Sequence, residues 1–297
     1  MLEIKKYAAI DIGSNAVRLL IANIVLIPDE KPKFKKSSLI RVPIRLGADT
    51  FNTGTISKTN TQRMLEAMKA FRLLMNVHKV EKYKACATSA MRNASNGKDL
   101  IENIKKEAAI DIEIIDGKKE AQIIASTDLS QLIEGHKSYL YVDVGGGSTE
   151  FTVFSKKKVI ASKSFKLGTV RLLNKEIDNK QTWADIKDWI EMHTENLKKV
   201  VLIGSGGNIN KIFKMSGQSV DKPLTYIYMK ANYHFLKKMS YEERISELGL
   251  NPDRADVIIP ATKIYLSAMK WSRAKKIYVP KIGLSDGIIK SLYNGTI

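Results

Sequence analysis

Two segments in different halves of this chain follow the same pattern. Residues 8–24 read AAIDIGSNAVRLLIANI, and residues 140–154 read LYVDVGGGSTEFTVF. In each segment an apolar run passes through an aspartate into a glycine-containing turn, and a second apolar run follows, which is typical of two neighbouring buried strands. Because the pattern occurs twice, the sequence indicates a duplicated structural unit.

The segments that follow the two strand pairs also correspond. In the first half we predict a third strand at Leu39–Leu46, then alternating helices and strands, ending in a helix from Gly117. In the second half we predict a third strand at Val159–Phe165, helices at 170–177 and 182–197, a strand at Val200–Ile203, a helix from Asn208 and a helix over 254–271. This order indicates mixed sheets covered by helices. We therefore predict an α/β fold of two similar lobes, residues 1–125 and 126–297, which face each other across a cleft and are joined by a helix near 125–135.

The net charge limits the partners that the chain can bind. Its 297 residues include 49 Lys and Arg against 31 Asp and Glu, which gives a net charge of +18. Such an excess attracts polyanions, whether nucleic acids, anionic membranes or phosphate-rich molecules. The dense basic runs at 31–36 and 156–158, which we predict to be hairpin tips, lack the aromatic interleaving of a base-stacking surface. We therefore expect no specific nucleic acid as a partner, although charge alone does not choose among polyanions.

The apolar stretches and the cysteine content indicate a cytoplasmic protein. The longest apolar stretch, Leu19–Ile27, is interrupted by an asparagine and is too short to cross a bilayer. The apolar run near the N-terminus is broken by Asp11, which argues against a signal peptide. Cys86 is the sole cysteine, so an intramolecular disulfide is excluded. We expect a reducing cytoplasm and no membrane partner, and base rates alone suggest a homodimer.

The two glycine-containing turns are candidate anion sites. Glycines there permit positive φ angles and let successive backbone N–H groups point into one concavity that binds anionic oxygen. The candidate donors are Ser14, Asn15, Gly145, Gly146, Gly147 and Ser148. Asp11 and Asp143, which precede the turns, would repel phosphate directly. We therefore expect such a carboxylate to bind Mg²⁺, and Glu150 is close enough in sequence to share the ion with Asp143.

Three further candidates follow predicted strands. Gly206 belongs to a glycine-rich turn between a strand and a helix, which would direct a helix N-terminus at an anion. Arg92 follows the strand predicted at Tyr83–Ala87 and can bridge phosphate oxygens. Glu120 falls in the first turn of the helix that begins at Gly117. Two explanations of Glu120 stay open: an acidic residue favoured by the helix dipole, or a general base for a water that attacks phosphorus.

An ordered set of motifs carries a family resemblance. The motifs are AIDIGSN at 9–15 with RLL at 18–20, ATSAMR at 87–92, IEIIDGKKEA at 112–121, DVGGGSTE at 143–150, LGTVRL at 167–172, GSGG at 204–207 and RADVIIP at 254–260. In this order they resemble the exopolyphosphatase/guanosine pentaphosphate phosphohydrolase (Ppx/GppA) family, within the actin-like ATPase and sugar-kinase superfamily. The matching motifs extend over nearly the whole chain.

The resemblance implies a fold, a reaction and the residues that perform it. It implies two RNase H-like lobes and Mg²⁺-dependent removal of terminal phosphate from polyphosphate or guanosine pentaphosphate. Glu120 matches the family's catalytic glutamate, and Asp143 and Glu150 match its metal-binding carboxylates. Arg92 and Arg254 match phosphate-binding arginines, and the remaining members of the implied phosphate site are Arg18, Ser14, Asn15, Gly145, Gly146, Gly147 and Ser148. Arg171 is expected to be structural and to fix the turn at 167–172.

The chain also departs from the family pattern. It has Val17 where an aromatic residue is frequent, and Ser285 and Asp286 where an Arg-Glu pair is frequent, so a cation is missing. Longer members carry a further C-terminal helical region, and we expect a short two-domain form with weaker processivity on long chains. Three other functions stay open. The first is a non-catalytic guanosine tetra- or pentaphosphate sensor, although the presence of Glu120 argues against it. The others are a nucleic-acid-binding protein, which only the charge supports, and an ATP-dependent sugar kinase, for which the sequence shows no sugar-binding signature.

Overall fold

The computed structural model describes residues 1–125, 127, 137–174 and 179–297, and it divides the chain into two compact units. The first unit comprises residues 1–127 and 282–297, and the second comprises residues 128–281. The sequence-based boundaries assign residues 282–297 to the second lobe, whereas the structure packs them with the first unit. The predicted joining helix lies almost entirely outside the described residues, as does the end of the helix predicted at 170–177.

The first unit contains five strands and six helices among its described residues. In chain order they are β1 (Glu3–Ile12), β2 (Val17–Leu26), β3 (Lys33–Val42), α1 (Leu46–Thr53), α2 (Lys58–Val77), β4 (Lys82–Ala87), α3 (Ser89–Asn93), α4 (Gly97–Ala108), β5 (Ile112–Ile114), α5 (Gly117–Ala125) and, at the C-terminus, the helix Leu284–Asn294. That last helix, which is α12 in the numbering of the whole chain, buries Leu284, Ile288 and Ile289. Its apolar side explains why residues from the far end of the chain pack with the first unit.

The first sheet is mixed, with strand order β3-β2-β1-β4-β5. The strands β1, β2 and β3 are antiparallel neighbours, whereas β4 and β5 join in parallel. On one side the core includes Ile10 and Val17 of the sheet together with Met68 and Phe71 of α2. The helix α12 also contacts β1, β2 and β4. The nearly continuous burial of β1 and β2 is the pattern expected of strands covered by helices.

The second unit repeats this arrangement and extends it. Its described elements are β6 (Ser138–Val144), β7 (Thr149–Ser155), β8 (Lys158–Phe165), a 3₁₀ turn (Arg171–Leu173), α6 (Lys180–Thr194), β9 (Val200–Ser205), α7 (Gly207–Met215), β10 (Leu224–Thr225), α8 (Tyr226–Lys238), α9 (Tyr241–Ser246), α10 (Pro252–Ala255), α11 (Ile258–Trp271) and β11 (Lys276–Tyr278). The strand order is β8-β7-β6-β9-β11-β10. The strands β6, β7 and β8 are antiparallel, β9 and β11 follow in parallel, and β10 adds an antiparallel edge. The predicted α/β architecture of two duplicated lobes is confirmed.

Two predicted elements differ from the structure for identifiable reasons. The third strand begins at Lys33, so the basic run at 31–36 lies mostly in β3 rather than at a hairpin tip. An edge strand tolerates such lysines because one side of it is open to water. The helix predicted over 254–271 is divided into α10 and α11. Pro260 explains the break, because its ring excludes a helical carbonyl four residues earlier, at Asp256.

Within the described stretches of the chain, no helix combines the length and the apolar character that a bilayer span requires.

Candidate active site

The first glycine turn connects β1 to β2 and buries a serine. The Gly13 N–H donates to the Ala16 carbonyl at 3.2 Å, and the Gly47 N–H donates to the Ser14 carbonyl at 2.8 Å. The Ser14 side chain is buried, with its Oγ 2.9 Å from Oγ of Ser89 at the start of α3. The turn is therefore held from two sides, and the Ser14 hydroxyl pairs with a hydroxyl at the start of α3, the helix that follows β4.

Arg18 lies opposite Asp11 across the β1–β2 pair. Its Nη1 is 2.7 Å from Asp11 Oδ2, and the Asp11 side chain is only 7% exposed. The sequence suggests Asp11 as a magnesium ligand and Arg18 as a phosphate-binding residue. The structure instead pairs the two charges with each other, so the phosphate-binding role of Arg18 stays a prediction. Asn15, also a predicted phosphate ligand, accepts the Arg45 N–H at its carbonyl at 3.1 Å.

Arg92 and Glu120 belong to neighbouring segments at the end of β5. Arg92 lies in α3, and its Nη1 donates to the Ile115 carbonyl at 2.5 Å. Asp116 follows and caps α5, since its Oδ1 accepts the Lys119 N–H at 2.7 Å. Glu120 is 9% exposed in the first turn of the capped helix. The structure thus brings these two predicted site residues to the same edge of the first unit.

The second glycine turn repeats the geometry of the first. The Gly145 N–H donates to the Ser148 carbonyl at 3.0 Å, the same i to i+3 bond that Gly13 makes. The expectation of positive φ is wrong here, because neither Gly13 nor the glycines at 145–147 have it. Close approach of the backbone is a better explanation for Gly13 and Gly145, because a Cβ there would lie 3.1 Å from the Ala16 carbonyl oxygen and 3.0 Å from the Ser148 carbonyl oxygen. The second turn also packs against Gly168, where a Cβ would lie 2.5 Å from the carbonyl carbon of Gly147 and closer still to Gly146.

The LGTVRL segment supports this second turn from behind. The Val170 and Arg171 N–H groups donate to the Gly146 carbonyl at 2.8 and 3.1 Å. The Arg171 Nε donates to the Gly147 carbonyl at 3.1 Å, and burial lowers the pKa of this guanidinium. These bonds tie Arg171 to the glycine turn, which is consistent with a structural role, and that role stays a prediction.

Asp143 and Glu150 lie directly opposite each other on β6 and β7. Directly opposed residues of an antiparallel pair place their side chains on the same face of the sheet. Glu150 is 2% exposed, and its Oε1 accepts hydrogen bonds from Ser148 Oγ at 2.7 Å and Ser164 Oγ at 2.8 Å. Two carboxylates are therefore side by side next to the glycine turn. Sequence reasoning missed Ser164, although the predicted third strand would have placed it next to Glu150.

The glycine-rich turn at 204–207 lies beside Asp143. In the parallel β6–β9 pair Asp143 is the partner of Ser205. Gly206 has φ of 119°, and a Cβ there would lie 3.5 Å from Asp143 Oδ1. The helix α7 begins at the next residue, whose carbonyl accepts Arg254 Nη1 at 3.1 Å. Within the second unit, the predicted residues Asp143, Glu150, Gly206 and Arg254 therefore meet at one edge of the sheet.

Two buried tyrosines close the interior side of this edge and were not predicted. The Tyr265 hydroxyl donates to the Ser205 carbonyl. Burial, followed by the neighbouring Asp143 charge, raises the pKa of both Tyr141 and Tyr265 well above the ordinary value. Both hydroxyls therefore stay neutral near Asp143. Their signal in the sequence is weak, because each tyrosine lies in an otherwise apolar run.

The donor set at this edge fits a magnesium ion. Mg²⁺ prefers carboxylate oxygens and keeps several waters, so one or two protein carboxylates with substrate phosphates are sufficient. Asp143 and Glu150 supply two carboxylates on one face. Outside the undescribed stretches, no cluster of three or more His, Cys, Asp or Glu side chains suited to a metal occurs. A multi-carboxylate cage is thus not present in the described residues.

Comparisons with known proteins agree with this arrangement. A protein named bifunctional 3-dehydroquinate synthase/phosphatase, from Fusobacterium nucleatum, is 31% identical over 97% of this chain, and the chain spans only 46% of that protein's length. Exopolyphosphatase 1 of Mycobacterium tuberculosis is 22% identical over 96% of this chain and 87% of its own length. The crystal structure of an exopolyphosphatase from Cytophaga hutchinsonii superimposes with a TM-score of 0.84 at 25% identity, covering 98% of each chain.

A family model also matches most of the chain. The model described as the Ppx/GppA phosphatase family matches residues 33–295, which includes Arg92, Glu120, both carboxylates of the β6–β7 pair and Arg254. The second glycine turn and the edge of the second sheet fall within the same match. The chain is therefore a member of the Ppx/GppA phosphatase family.

Proposed function

We propose that this chain hydrolyses phosphoanhydride bonds and releases terminal phosphate from inorganic polyphosphate or guanosine pentaphosphate. Membership of a phosphatase family supports the reaction class, and the M. tuberculosis relative is named an exopolyphosphatase. The observation that carries the proposal is the opposed pair Asp143 and Glu150 next to two glycine-rich turns. Such an edge suits a substrate with phosphate groups and a divalent cation.

Glu120 is proposed as the general base. Its carboxylate is nearly buried in the first turn of a capped helix, a position with a restricted orientation. It would accept a proton from a water molecule while the water oxygen forms a bond to the terminal phosphorus. The bond between that phosphorus and the bridging oxygen breaks, so inorganic phosphate and a chain shorter by one phosphate leave.

Arg92 and Arg254 are proposed to bind phosphate oxygens. Phosphoryl transfer depends mainly on positioning and on neutralising charge. A guanidinium has five N–H donors, and the bonds to the carbonyls of Ile115 and Gly207 each use one nitrogen to fix the side chain. Ser14, Ser148 and Gly206 would add donors from the turns.

Asp143 and Glu150 are proposed to hold Mg²⁺. When bound, the ion would neutralise charge on the substrate phosphates. The serine hydroxyls that donate to one oxygen of Glu150 orient its carboxylate. The neutral tyrosines behind Asp143 keep the interior side of the site free of a competing anion.

The test is phosphate release from polyphosphates of several lengths and from guanosine pentaphosphate, with and without Mg²⁺. Wild type is compared with Glu120→Gln, and Glu113→Gln on the preceding strand serves as the matched control. We expect the Glu120 variant to lose activity by about 10²- to 10⁴-fold, while the control keeps it. If wild type binds these substrates but releases no phosphate, the hydrolase proposal fails and the chain is a sensor.

A further inference from the structure

The C-terminal helix α12 contacts the helix that carries Glu120 at unusually close range. A Cβ at Gly287 would lie 2.8 Å from both the carbonyl carbon and Cγ2 of Ile123, and closer still to the Ile123 carbonyl oxygen. Real Cβ atoms essentially never approach a backbone atom so closely, and a backbone carbonyl cannot swing aside as a flexible side chain can. A glycine at position 287 is therefore what permits this separation of α12 and α5.

Ile123 is coupled to Glu120 through helix geometry. Residues three apart are neighbours on one side of a helix, and both Glu120 and Ile123 are buried. A shift of α5 at Ile123 therefore moves Glu120 with it. At the N-terminal end of α5, the Asp116 cap and the bond from Arg92 to the Ile115 carbonyl hold the start of the helix.

The position of α12 is itself fixed by contacts with β3. Lys36 Nζ lies 2.7 Å from Oδ1 and 2.9 Å from Oδ2 of Asp286, the residue directly before Gly287. Farther along the helix, the rings of Phe34 and Tyr293 meet edge to face with centroids 5.6 Å apart. These contacts come from alternate residues of one edge strand. They hold α12 along its length, with the charged pair at the level of the Gly287 contact.

We propose that Gly287 is a positioning residue for Glu120, and that the pair formed by Lys36 and Asp286 holds Gly287 in place. The inference rests on the proposed hydrolase function. A displacement of about 1 Å of a catalytic group can cost about 10²-fold in rate. The close contact at Gly287 sets the distance between α12 and α5, and thereby the place of the Glu120 carboxylate. In this proposal Asp286, which departs from the family pattern, helps to hold α12 in position within the first unit.

Steady-state kinetics of Gly287→Ala on polyphosphate tests the proposal. We expect kcat to fall by about 10- to 100-fold, while KM and the Mg²⁺ requirement stay near wild type. Gly283→Ala is the matched control, because a Cβ there meets no atom within 4 Å. A fall in kcat with an unchanged KM indicates displacement of the base, whereas a rise in KM would indicate loss of substrate binding.

A second set of variants covers the case in which Gly287→Ala does not fold. Lys36→Met breaks the pair, Lys36→Arg keeps it, and Lys35→Met removes the adjacent exposed charge from the same strand. We expect only Lys36→Met to lower kcat. If wild type is inactive, the proposed function itself fails. If wild type is active but the folded variants change only KM, or change nothing, the positioning role is overturned.

Discussion

Arg18 Nη1 lies 2.7 Å from Asp11 Oδ2, across the first pair of strands. The second unit has the same strand pair and the same spacing, yet there Asp143 faces Glu150. The duplicated positions thus hold an ion pair in one unit and two like charges in the other. Two neighbouring carboxyl groups suit a bound cation, whereas the first pair already includes an arginine, and the magnesium proposal is therefore confined to Asp143 and Glu150.

The ion pair between Asp11 and Arg18 is expected to stabilise the fold, so the effects of mutating the two residues should not be additive. Arg18→Gln would remove the cationic partner of the nearly buried Asp11 carboxylate, at a cost of about 1–3 kcal/mol in the free energy of unfolding. Asp11→Asn removes that charge, so the double variant should be more stable than Arg18→Gln alone. Urea denaturation of both single variants and the double variant measures this coupling. Strictly additive effects would contradict it.

Much of the fold could be predicted because its signals are local. The apolar runs of β1, β2, β6 and β7 and the turns between them are contiguous in sequence. The start of β3 was missed because alternating lysines look like a solvated turn, whereas they lie on an edge strand. The place of α12 was missed because its docking depends on contacts with residues more than 150 positions earlier, such as Lys36 with Asp286.

The candidate site was predictable as a set of residues, but its internal pairing was not. Motif order selects Glu120, Asp143 and Glu150, yet the sequence alone does not reveal that Asp11 is neutralised by Arg18. The antiparallel register decides this, since residues placed symmetrically about a turn become partners. The glycines do lie in turns, but at Gly13 and Gly145 a close approach of the backbone explains the glycine, and none of the turn glycines at 13 and 145–147 has a positive φ.

The opposed carboxylates predict a specific response to Mg²⁺. Like charges directly opposite on neighbouring strands destabilise a sheet by about 0.2–1 kcal/mol. Glu150→Gln should therefore keep or slightly raise Tm in EDTA, because the amide oxygen can still accept the serine hydroxyls. In MgCl₂ wild type should gain Tm and the variant should not. Glu191→Gln, a surface change in the same unit, is the control that keeps the Mg²⁺ response. An equal Mg²⁺ shift in all three proteins would contradict the site.

The packing behind the second glycine turn predicts a large effect from one methyl group. Gly168→Ala would place Cβ 2.5 Å from the Gly147 carbonyl carbon, and overpacking of this kind costs about 1–3 kcal/mol. Guanidinium denaturation should show this loss, while Gly283→Ala in open space should stay within about 0.5 kcal/mol of wild type. A Gly168→Ala protein as stable as wild type would mean that the turn can move away.

Cys86 is expected to be unreactive in the folded protein. It is fully buried in β4, and burial, with the nearby Glu113 charge, raises the pKa of its thiol to about 12. Because the thiolate is the reactive species, a disulfide reagent at pH 8 should show no reaction until guanidinium unfolds the chain. One equivalent should then react, since the sequence has a single cysteine. Rapid labelling of the native protein would show that β4 opens.

The Glu113 carboxylate is expected to stabilise the folded protein at neutral pH, and this stabilisation should be lost in acid. Lys119 and Lys84 hydrogen-bond its carboxylate and lower its pKa below the ordinary value, with Lys84 Nζ at 2.7 Å. A group whose pKa is lower in the folded state contributes stability above its unfolded pKa and loses it as pH falls through the folded pKa. Tm measured from pH 7 down to pH 3 should therefore fall less steeply for Glu113→Gln than for wild type below about pH 4.3. The effect is small because both lysines are partly exposed. Parallel curves for the two proteins would show that these lysines do not stabilise the folded state through Glu113.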